Sequence, residues 1–128
     1  MRCLYFISLF LFVVGACQSE FQAEQSSPEG AIRFFFEALK HEQFEKASLY
    51  TTAKTQISLR DFVAHLNTIS AEQKTILLSP FKMKVSSVGC SENQGTTICS
   101  LCCSPDGEIA ISMVQKDNKW FVEMEFGF

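Results

Sequence analysis

The sequence predicts an α+β domain, preceded by a cleaved signal peptide, in which three helices pack on a curved four-stranded antiparallel sheet. Apolar residues recur at helical spacing from residue 28 to about 69, and after Pro80 the period drops to two. Turn signals at Ser91-Glu92-Asn93-Gln94-Gly95, Pro105-Asp106-Gly107 and Asp117-Asn118 divide the second half into four strands.

The chain opens with Met1 and Arg2, then an apolar run from Cys3 to Val14: a positive start followed by a hydrophobic core, as in a secretory signal. The run is too short to span a bilayer, which takes roughly 20 apolar residues. It ends at Val14-Gly15-Ala16-Cys17, which resembles the bacterial lipobox: an aliphatic residue, two small ones, and the cysteine that receives diacylglycerol before the signal is cut away. Small residues suit a peptide that must enter a narrow protease groove beside a lipidated thiol. Residues 1–16 are therefore read as a lipoprotein signal peptide and 17–27 as the lipidated Cys17 with a polar tether, leaving 28–128 for a single domain. Gln18 is not the aspartate that retains enterobacterial lipoproteins at the inner membrane, so the outer membrane is favoured if the host is Gram-negative.

Helix signals begin at Ser27-Pro28-Glu29, with an N-cap serine, proline at the first helical position and an acid in the first turn. Ala31, Phe34, Phe35, Ala38 and Leu39 then form one apolar face. A second helix is expected over 42–53, with Phe44, Ala47 and Tyr50 inward and Glu42, Glu45 and Lys46 outward. Ser58 with Asp61 reads as a capping box opening a third helix through Leu59, Phe62, Val63, Leu66 and Ile69. The first strand is expected from Phe81 to about Cys90, alternating Phe81, Met83 and Val85 with Lys82, Lys84 and Ser86 before a bulge at Ser87-Val88. The others run from Thr96 to Ser104, Glu108 to Lys116 and Lys119 to Phe128; on the last, Trp120, Val122, Met124 and Phe126 share a face opposite Phe121, Glu123 and Glu125.

At this point Pro28-Glu29-Gly30-Ala31-Ile32-Arg33-Phe34-Phe35-Phe36-Glu37-Ala38-Leu39, with Phe44-Glu45-Lys46-Ala47 close behind, resembles the opening of small bacterial lipoproteins in an uncharacterised branch of the nuclear transport factor 2-like superfamily. Lys116-Asp117-Asn118-Lys119-Trp120-Phe121-Val122 is similar to that branch's last hairpin. The resemblance implies a cone-shaped fold with a pocket between helices and concave sheet, for which Phe35, Phe36, Tyr50, Phe62 and Trp120 are the candidate lining. Some members are isomerases or dehydratases, but no catalytic pattern of theirs can be placed on these residues. Many relatives pair through their sheets, so a homodimer is expected as one option.

The 128 residues carry a net charge of -3, and losing Arg2 with the signal leaves ten basic residues against fourteen acids, near -4. Such a balance argues against a nucleic-acid partner, which needs clustered Lys and Arg. Thirteen Phe residues supply ample core, so no metal or other cofactor is expected. There is no Gly-rich phosphate loop and no serine-nucleophile motif.

Export to an oxidising compartment makes Cys90, Cys99, Cys102 and Cys103 disulfide candidates, with three pairings open. A hairpin turning near Gln94-Gly95 would set Cys90 opposite Cys99. Cys102 and Cys103 would point to opposite sheet faces. Free or buried thiols, a zinc site using Cys99-x2-Cys102, and redox use remain as alternatives. Asp61 and His65, four apart on a helix, have the spacing of a carboxylate orienting an imidazole base, but both fall off the apolar stripe and read as a solvated pair. His41 ends the first helix, where the dipole favours a cationic ring. The Phe34-Phe35-Phe36 run cannot face one way, so one ring, with Phe36 the candidate, must sit at an edge, a pocket or an interface. Together these features lead to a membrane-anchored, non-enzymatic module for an apolar small molecule or an envelope protein, with an acid–base enzyme using the cone pocket as the alternative.

Overall fold

The computed structural model describes residues 25–82, 85, 87–104 and 107–128, with the backbone alone at 103, 104 and 107. The expected signal peptide and most of the tether, Cys17 included, lie outside these residues. Four helices come first: α1 (Pro28–Lys40), α2 (Phe44–Ser48), α3 (Ala53–Leu66) and α4 (Ala71–Leu78), the last running into a 3-10 turn (Ser79–Phe81). The strands β1 (Ser87–Asn93), β2 (Thr96–Ser104), β3 (Gly107–Lys116) and β4 (Lys119–Glu123) follow as an antiparallel sheet in the order β1-β2-β3-β4.

α1 starts as the sequence predicts: Ser27 accepts from the Gly30 amide at 3.0 Å and Pro28 opens the first turn. It ends at His41, and Glu42 takes a left-handed φ of 56°. The Glu42 amide then donates to the Leu39 carbonyl and the Gln43 amide to that of Ala38, a Schellman closure built without glycine. Expected to reach residue 53, α2 stops at Ser48. The reason lies in the sheet: Leu49 to Thr52 peels off to line the outer edge of β4, where the Val122 amide donates to the Tyr50 carbonyl at 2.7 Å and the Thr52 amide to the Val122 carbonyl at 3.0 Å. The open edge of β4 is thereby covered.

The capping box expected at Ser58 and Asp61 is not one; both residues lie inside α3, which is capped by Thr52 through the Thr55 amide. The first turn of α3 escaped the sequence reading because its inward residue is polar: Thr55 is fully buried and begins the stripe continued by Leu59, Phe62 and Leu66. The true capping box belongs to α4, which the reading did not foresee, with Ser70 and Gln73 each accepting from the other's amide. Of that helix only Leu78 is buried, and Ile76 is exposed.

β1 begins at Ser87 rather than Phe81, whose ring instead closes the 3-10 turn; Met83, Lys84 and Ser86 lie outside the described residues. Both two-residue hairpins place their central residues at positive φ, Gln94 and Gly95 at 52° and 79°, Asp117 and Asn118 at 54° and 62°, the backbone a type I′ turn demands. Asn93 therefore pairs with Thr96, and Cys90 with Cys99. A register shift interrupts the β2–β3 pairing between Leu101 and Ser104.

β4 also ends early, at Glu123. Residues 124–128 leave the ladder for α3, where the Met124 amide donates to Thr55 Oγ1 at 3.0 Å and the Phe126 amide to Ser58 Oγ at 2.8 Å. Ser58 thus captures the closing segment instead of capping a helix. Ser58→Ala is expected to cost about 1 kcal/mol, with hydrogen exchange at the Phe126 amide accelerating while β3 amides stay protected.

Candidate functional site

The inner sheet face presents Cys99, Leu101, Ile111, Met113 and Val122 to the helices, all buried. Between sheet and helices the space is taken by aromatic rings. Phe62 stacks on Phe126 at 5.2 Å between centroids and meets Phe81 edge-on at 6.0 Å; Phe126 reaches Phe81 at 5.6 Å and Phe35 at 6.4 Å, and Phe35 meets Phe36 at 5.4 Å. Of the candidate pocket lining, Phe35, Phe36, Tyr50 and Phe62 are buried core residues, and Trp120 is half-buried at one end of the inner face. The edge ring of the triple-Phe run is Phe34, not Phe36: Phe34 is half-buried, 5.3 Å from the Tyr50 ring, with Lys46 Nζ 5.8 Å over its face.

Clefts lined wholly by described residues lie elsewhere. One of about 310 Å³ runs between α2 and α3, with Phe44, Leu59 and Val63 as floor and Glu45 and Arg60 at the rim. Another of about 310 Å³ lies along the closing segment, beside Ile57, Asp61 and Phe128. A third, about 570 Å³, lies between α4 and Glu42. None is lined by the five candidate residues.

Asp61 is exposed, and no hydrogen bond or ion pair joins it to His65 among the described residues. The His65 ring instead stacks on Phe128 at 4.6 Å and 19°. Glu123 pairs with Ser112 at the end of β4, and Tyr50 is fully buried against Phe34. Asp61 and His65 thus both neighbour Phe128 without bonding each other, whereas Glu123 and Tyr50 lie in separate surroundings.

The Cys90 and Cys99 sulfurs lie at disulfide distance, with Cα atoms 4.0 Å apart. Counted outward from the turn, this register is a non-hydrogen-bonded pair, where antiparallel Cα atoms approach most closely. Bonded sulfurs are not thiolates, and with Cys102 bonded as well the four-thiolate zinc alternative lacks at least three ligands in this state. Cys102 is also disulfide-bonded and half-buried in β2; the side chain of Cys103 lies outside the described residues.

The sequence reading passed over one electrostatic cluster. Glu42 accepts from Lys82 Nζ at 3.1 Å and lies 3.5 Å from Lys74 Nζ, while Lys82 also donates to the Lys40 carbonyl that ends α1. Its only sequence signal was an acid between two helices with lysines 32 and 40 residues on. The hydrogen bond from Lys82 holds the Glu42 carboxyl below its ordinary value of 4.5, against the opposing effect of burial and aided by Lys74. A depressed carboxyl stabilises the fold above that ordinary value and loses its contribution as pH falls through the lowered one. Wild-type and Glu42→Gln stabilities should therefore differ at pH 7 and converge on acidification; the effect is small because the pair is partly solvated. Denaturant titrations at both pH values check it.

No family model matches the chain, and no curated protein or solved structure matches it either. Among the described residues no group of three or more His, Cys, Asp or Glu is placed to hold a metal, and no helix is long and apolar enough to cross a membrane.

Proposed function

We propose that the chain is an envelope lipoprotein, anchored through lipidated Cys17 and exposing a nuclear transport factor 2-like domain that works as a non-enzymatic interaction module. The carrying observation is that Asp61, His65, Glu123 and Tyr50 do not converge on one cleft: Asp61 lines the cleft beside Phe128, the His65 ring is stacked on Phe128, and Tyr50 is buried in the core. The lipobox Val14-Gly15-Ala16-Cys17 supplies the address, and the Cys90–Cys99 pair suits an oxidising compartment. The outer membrane is the preferred location in a Gram-negative host.

Phe126 and its neighbours occupy the space a cone pocket would offer, which favours a protein partner over an apolar small molecule. The outer sheet face, with Ile98, Val114 and Phe121, is the natural surface for a second copy or an envelope protein.

Intact mass of the chain purified from bacterial membranes tests the reading. A protein beginning at diacylated Cys17 is expected, with native mass giving an empty protein or a protein complex. An unmodified Cys17, or cleavage elsewhere, overturns the anchor; a retained substrate-like polar molecule overturns the non-enzymatic assignment.

A further inference from the structure

The chain enters the domain through a built clasp. Gln25, only 5% exposed, accepts the Trp120 amide at its carbonyl at 2.9 Å, and its Nε2 donates to the Trp120 carbonyl at 3.4 Å and the Leu49 carbonyl at 3.5 Å. The parallel bridge between Thr51 and Val122 carries Leu49 alongside Trp120. Leu49 is 53% exposed and Trp120 half-buried, with Lys119 next to Trp120 and paired to Lys116 across the hairpin. One turn before Leu49, Lys46 covers Phe34. These segments bring three lysines against two acids, Glu45 and Asp117, on a chain whose total charge is negative.

We propose that this end of the domain is a membrane-contact surface, with Leu49 and Trp120 set in the headgroup layer of an anionic phospholipid bilayer and Lys46, Lys116 and Lys119 over its phosphates. The inference rests on the lipid-anchor reading above. From Cys17 to Gln25 is eight residues, at most about 29 Å when fully extended, so an anchored Cys17 keeps this end, through Gln25, within that reach of the bilayer. Tryptophan has an apolar body and a polar N–H, which suit the interface, and lysine stems can lie along apolar surface with their ammonium groups at the phosphates. The clasp at Gln25 ties the first described residue to Leu49 and Trp120, so the tethered end of the domain is the end that carries this surface.

Trp120 is the sole tryptophan, so its emission reads the contact directly. The lipidated full chain is reconstituted into phosphatidylcholine–phosphatidylglycerol vesicles with and without bromine on the acyl chains. Brominated lipid is expected to quench Trp120, and added salt to weaken the quenching. Leu49→Ser combined with Lys119→Glu should lose the quenching while the protein still floats with the vesicles. A wild-type protein that floats but is not quenched overturns the surface and leaves the anchor standing. Failure to float, with no lipid on Cys17, overturns the anchor and this inference together.

Discussion

Phe62→Ala is expected to remove about 3–5 kcal/mol of folding stability. Phe62 is 1% exposed and touches Phe81, Phe126 and Phe128. Its removal leaves a void ringed by aromatic faces that are fixed from three directions: by α1 through Phe35, by the 3-10 turn through Phe81, and by the closing segment through Phe126. None can collapse into the gap without leaving its own partners, so the cavity cost adds to the lost transfer energy. Small domains hold roughly 5–15 kcal/mol in all, so the variant should show a much lower urea midpoint with an unchanged slope. Phe128→Ala is the control, since that ring is 62% exposed and its loss should cost well under 1 kcal/mol. If Phe62→Ala proves as mild as the control, the interior is loosely filled, and the cone pocket for an apolar small molecule returns as the better functional reading.

Legibility in the sequence followed the side chains that carry local rules. Ser27-Pro28 marked the start of α1, and Asp117-Asn118 marked the last hairpin, because each encodes its backbone in neighbouring residues. The opposition of Cys90 and Cys99 followed from the turn by counting. Errors arose where a distant element decided the outcome. α2 is cut short by the competing hydrogen bonds that Tyr50 and Thr52 make to Val122, about 70 residues away in the chain. Met124 to Phe128 alternates like a strand, yet Thr55 and Ser58 hold its amides, and no alternation pattern distinguishes a ladder from a helix face.

The candidate site was less legible than the fold. Asp61 and His65 have the right spacing for a catalytic pair, but spacing says nothing of what else the ring meets, and His65 meets Phe128. α4 was missed because Ile76, Leu77 and Leu78 are consecutive and present no periodic face, although Ser70-x-x-Gln73 carried a capping signature. The clasp at Gln25 had no sequence signal, since a glutamine in a polar stretch resembles its neighbours until β4 and Leu49 come to meet it.

Removing the Cys90–Cys99 bond, by Cys90→Ala with Cys99→Ala, is expected to cost about 2.5 kcal/mol. The bridge closes a loop with a sequence separation of nine, and in the chain-entropy account that closure restricts the unfolded chain by roughly this amount. Cys99 is fully buried beneath α1, so the double alanine also loses some packing, while the hairpin register is kept by Gln94-Gly95 and the remaining pairs from Ser87–Cys102 to Asn93–Thr96. A fall in Tm on the order of 10 °C follows for a domain of this size. Reductant should lower Tm in the wild type by at least most of that shift and in the variant by less, since only the bond at Cys102 is left there to reduce. Equal melting of wild type and variant would mean that the bond only records a register the turn already dictates, with the stability of the domain supplied by its packing instead.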